Sequence, residues 1–96
     1  MKIFTVTHMF EIHGEHAFVY YVRNFSTYEK AYEFVKKVFE QTKEMRLNEF
    51  SKEEGYTVDC TILDYGAEVY VGNDNYYVLD VFEIFENELD DDTVED

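Results

Sequence analysis

The chain has one cysteine, four glycines and, beyond residue 52, no basic residue at all. A lone Cys60 cannot close an internal disulfide, and a small secreted domain would normally carry several, so an intracellular setting is expected. The glycines, at 14, 55, 66 and 72, never cluster in the manner of a phosphate-cradling loop. No stretch approaches the roughly 18 apolar residues of a membrane span. The first residues, Met1-Lys2-Ile3-Phe4-Thr5-Val6-Thr7-His8, hold neither an uninterrupted apolar run nor a small-residue cleavage site, so export is not expected either. Tryptophan is absent, which leaves the core to Phe, Tyr and the aliphatic residues.

What is present fits one folded domain. The chain is 96 residues long, 46% hydrophobic and 19% aromatic, too rich in core formers for a disordered chain even at a net charge of −14. That charge exceeds the magnitude of about 2–8 that serves solubility in a small domain. Its distribution is uneven. Residues 1–52 hold all eight Lys and Arg and balance at +1, whereas residues 53–96 hold only acids and carry −15. Direct nucleic-acid binding and docking on an anionic membrane both need cations, so both are disfavoured and a positively charged partner is expected.

Periodicity organises the chain. From Lys2 to Ile12, Phe4, Val6, His8, Phe10 and Ile12 alternate with Thr5, Thr7 and Glu11, which predicts a half-buried strand. His13-Gly14-Glu15-His16 reads as a turn. Ala17 to Arg23, apolar on both faces, reads as the second strand of a hairpin and as a central one. Ser26 and Glu29 have the spacing of a capping box. Tyr28, Ala31, Tyr32, Val35, Val38, Phe39 and Thr42 then recur at helical steps, predicting a helix from about Thr27 to Asn48 whose outer face pairs Glu33 with Lys37 and Lys36 with Glu40.

Past the Ser51–Gly55 loop, Tyr56, Val58, Cys60 and Ile62 alternate with Thr57, Asp59 and Thr61 as a one-sided strand. A short strand from Ala67 to Val71 and the turn Gly72-Asn73-Asp74-Asn75 follow. Tyr76 to Phe85 reads as a last strand, although Val78, Val81, Phe82, Phe85 and Leu89 also fit a helix from about Asp80. From Glu86 the chain turns acidic, and residues 89–96 are expected as a disordered tail on a domain of residues 1–88. The expected fold is α+β, a long helix on a four- or five-stranded antiparallel sheet in the order β-β-α-β-β-β.

No arrangement for catalysis emerges. His13 and His16 with one carboxylate, from Glu11 or Glu15, make a weak zinc set, since structural zinc takes four ligands and no Cys is close, and His8 reads as a satisfied core or rim histidine. Cys60 shares a side with Val58 and Ile62, with no base to activate it. Gly72-Asn73-Asp74-Asn75 lacks the ligand pattern of a calcium loop, and Asp90-Asp91-Asp92 reads as a solvated run. No cofactor and no metal are expected.

The candidate partner-binding residues are therefore acids and tyrosines of the second half: Asp59, Asp64, Glu68, Asp74, Asp80, Glu83, Glu86, Tyr70, Tyr76 and Tyr77. Carboxylates match Arg forks, and Tyr supplies contact area at little rotamer cost. In size and charge the chain resembles phage counter-defence proteins, such as anti-restriction and anti-CRISPR inhibitors, and the immunity proteins of nuclease toxins. The resemblance is one of composition and transfers no residue roles. It implies a non-catalytic inhibitor seated on the basic site of a nuclease or other nucleic-acid-handling protein. The alternative is a self-associating regulatory module with an aromatic strand face, and a small-ligand binder or enzyme comes third.

Overall fold

In the computed structural model, which describes residues 2–13, 15, 18–52 and 55–88, a single helix packs on one face of a five-stranded antiparallel sheet. In chain order the elements are β1 (Lys2–Ile12), β2 (Phe18–Phe25), α1 (Tyr28–Glu49), β3 (Thr57–Leu63), β4 (Gly66–Gly72) and β5 (Tyr77–Glu88). The sheet order is β2-β1-β5-β4-β3, so the first and last strands lie together at the centre. The last described element, β5, is a strand and not a helix from Asp80.

Each strand alternates in and out, and the inward set makes the core with the helix stripe. Val6, Val69, Val71, Val78 and Phe82 are almost wholly buried beneath Ala31, Val35 and Phe39 of α1. Phe50, just past the helix, closes one end. The stripe from Tyr28 to Thr42 is buried or half-buried as its spacing predicts, and it continues one step further to Arg46.

Several expectations need correction. The helix cap is Thr27, whose hydroxyl accepts from the Lys30 amide at 3.2 Å, and not Ser26. Lys36 meets Glu33 at 3.9 Å, one residue nearer than the i,i+4 partner expected. β2 is an edge strand, not a central one: its apolar outer side is exposed, Val19 at 63% and Val22 at 54%. The acidic residues from Glu86 to Glu88 extend β5, because β1 pairs with them, Phe4 opposite Glu86 and Lys2 opposite Glu88. The expected tail, residues 89–96, lies outside the described residues, as do His16, Glu53 and Glu54.

Candidate functional site

The sheet has two faces of opposite character. The helix side contains a buried polar cluster. Asp80 occupies an inward position of β5 between Val78 and Phe82 and has no exposure at all. Its carboxylate accepts from Arg46 Nε at 2.7 Å and Nη2 at 2.9 Å, and it meets His8 Nε2 at 2.9 Å. Arg46 Nη1 also reaches Glu49 at 3.2 Å, and the guanidinium lies over the Phe10 ring. Burial alone would push the Asp80 carboxyl up, but the hydrogen bonds from Arg46 and His8 outweigh it and hold it below the usual carboxylate range. The bond to Asp80 raises the Arg46 guanidinium in turn, against its own burial.

Shielded groups that satisfy one another brace α1 to the sheet. Asp80 is thus removed from the partner-facing set: an acid with no exposed surface cannot meet an incoming Arg or Lys. His8 is the satisfied core histidine expected, at 4% exposure. Cys60 is half-buried on the helix side, where burial pushes its thiol up and leaves less thiolate at neutral pH. Among the described residues, no group of three or more His, Cys, Asp and Glu is placed to hold a metal ion.

Among the described residues, no helix packs on the second face. Strand register assigns its residues, since directly opposed residues of an antiparallel pair project to the same side. One row runs Val22, Thr7, Glu83, Gly66 and Leu63; the next runs Val19, Met9, Val81, Glu68 and Thr61. A third runs Glu11, Leu79, Tyr70 and Asp59, with Tyr77, Gly72 and Thr57 below it. Tyr70 and Tyr77 stack at 5.6 Å, and the Tyr77 hydroxyl donates to Glu11 at 2.8 Å.

None of the eight Lys and Arg projects from this face. Lys30, Lys36, Lys37, Lys43 and Arg46 lie on α1 and Lys52 follows it. Arg23 sits over the Phe34 ring on the helix side, and Lys2 pairs there with Glu86 at 3.1 Å. The split between sequence halves therefore becomes a split between faces. The helix side mixes both signs; the open side carries Glu11, Asp59, Glu68 and Glu83 among apolar residues.

Of the residues singled out from sequence, Asp59, Glu68, Glu83, Tyr70 and Tyr77 share this face. Asp64 and Asp74 are exposed in the turns at opposite ends of β4, with Tyr28 donating to the Asp64 carbonyl. Tyr76 stands at the second turn beside His13 and Phe50, and Glu86 belongs to the helix side. Sequence reasoning missed the apolar members, Met9, Val19, Val22, Leu79 and Val81. The available signal was the two-sided apolar character of β2 and β5, which fits an outer face awaiting cover as well as it fits a central strand.

No helix among the described residues is long and apolar enough to cross a membrane. No known family model matches the chain, and no curated protein or solved structure matches it either.

Proposed function

We propose that this protein is a non-catalytic interaction protein, an acidic inhibitor whose open sheet face docks on the basic site of a nuclease or other nucleic-acid-handling protein inside the cell. The observation that carries this reading is that, among the described residues, no Lys or Arg projects from a face that bears four carboxylates and exposed apolar side chains. A one-sign surface attracts its partner over a Debye length, about 8 Å at physiological salt, and repels nucleic acid itself. Apolar neighbours then supply the desolvated contact that a purely electrostatic encounter lacks.

Self-association through the same face, the alternative raised by the aromatic strands, is disfavoured by the same charges. Two copies face to face would bring Asp59, Glu68, Glu83 and Glu11 of each against a surface from which, among the described residues, no Lys or Arg projects. The test is affinity capture from nuclease-treated lysate, followed by elution with heparin, DNA or salt. Basic nucleic-acid-binding proteins released by heparin at moderate ionic strength are the expected result. Partners that survive both heparin and high salt would overturn the reading.

A further inference from the structure

We propose that the open face takes a basic amphipathic helix of the partner protein, laid obliquely across β4, β5 and β1. This rests on the docking reading above and adds which element of the partner is seated and where. Register places Asp59 on β3 opposite Tyr70, Glu68 on β4 opposite Val81, and Glu83 on β5 two residues beyond Val81. Each acid is therefore one strand over and two residues along from the last. Such diagonal neighbours lie about 7–8 Å apart, so the three carboxylates form a straight oblique row.

Parallel to that row runs an apolar band. Tyr70 and Val81 make its first line, and Leu79, Met9 and Val22 its second, by the same diagonal step. Glu11, held by the Tyr77 hydroxyl, stands on the far side of the band. The result is an apolar track with three carboxylates along one margin and the single carboxylate of Glu11 on the other. Its complement is a helix with one apolar stripe flanked by Lys or Arg, whose long side chains reach outward from the seam. A helix already covers the opposite face, where α1 packs over the inward residues of the same central strands, so a second helix would complete a three-layer arrangement. A second copy of α1 does not fit as the occupant. Its outer side mixes Glu29, Glu33, Glu40 and Glu44 with its lysines and would set acid against acid.

The test is a residue-resolved NMR titration of the full isotope-labelled chain with a synthetic helical Leu/Lys peptide, run beside a Leu/Glu peptide of the same pattern. Amide shifts centred on Met9, Tyr70, Leu79 and Val81 with the Leu/Lys peptide are expected, and none with Leu/Glu. Affinity should fall severalfold as the Debye length shrinks from about 14 Å to about 6 Å with added salt. Combining Asp59→Asn, Glu68→Gln and Glu83→Gln should weaken the peptide about tenfold, each exposed pair being worth a factor of about two. The melting temperature should stay unchanged, and Glu33→Gln with Glu40→Gln on α1 should leave binding as it was.

Shifts confined to α1 or to residues 89–96 would overturn the proposal, as would an unaffected triple variant. The outcome is separable from the functional reading. A peptide that seats on the face while natural partners ignore heparin keeps the surface and removes nucleic-acid competition; heparin-sensitive partners with no peptide on the face do the reverse.

Discussion

Replacing Asp80 by Asn should be among the most damaging single changes in the protein, although from sequence it looks like one acid among many. The carboxylate has no exposed area and takes two hydrogen bonds from Arg46 and one contact from His8. Without its charge, the Arg46 guanidinium stays 7% exposed with only Glu49, itself half in solvent, to balance it. Stranding one member of a buried ion pair costs about 3–5 kcal/mol. For a domain of this size each kcal/mol is worth about 4–8 °C, so the melting temperature should drop by at least about 12 °C. Urea denaturation followed by circular dichroism measures the loss. Asp80→Leu combined with Arg46→Met should recover most of it, because removing both charges abolishes the desolvation penalty along with the attraction. A loss below about 1 kcal/mol for the single variant, or a double variant no better than the single, would show that Arg46 does not depend on the Asp80 charge.

Acid titration should show the same pair from another side. The Asp80 carboxyl is depressed in the folded state, so its contribution is complete above its unfolded value of about 3.9 and is lost as pH falls through the lower folded value. Wild-type stability should therefore drop more steeply below about pH 4 than that of the Leu/Met double variant. Thr27→Ala should cost about 1 kcal/mol in urea unfolding and Ser26→Ala a few tenths, since only Thr27 caps α1. Gly66→Ala should destabilise by about 1–3 kcal/mol because its methyl would clash with the Phe82 carbonyl across the β4–β5 pair. A neutral result would mean that the two strands can part there.

Much of the fold can be read locally, and the reasons show where local reading stops. β1 alternates so regularly that its bounds, Lys2–Ile12, follow from the pattern alone. The helix stripe is equally legible up to Thr42. Arg46 continues it, Asp80 sits between Val78 and Phe82 on an inward position, and His8 sits between Val6 and Phe10. Three polar residues on three buried stripes are a signal for an internal ion-pair cluster. Counting Asp80 as surface charge conceals it. Strand order is not local. An edge strand such as β2 with apolar residues on both sides looks central until its neighbours are known, and the Glu86–Glu88 extension depends on β1 pairing with it. The charge split by halves was legible, but only the register turns it into a cation-free face that includes Asp59, Glu68 and Glu83 and leaves out Asp80 and Glu86.

Two triple charge reversals separate binding by the open face from binding by overall charge. Asp59→Lys, Glu68→Lys and Glu83→Lys change the open face; Glu33→Lys, Glu40→Lys and Glu44→Lys change α1, and both sets alter net charge equally. With each immobilised variant, the measurement is the amount of heparin-releasable basic protein captured relative to wild type. The face variant should lose capture at least about tenfold while the helix variant retains most of it, because exposed pairs act locally once salt screens the rest. Equal losses would show that overall charge and not the open face holds the partner, and a loss confined to the helix variant would place the interface on the opposite side.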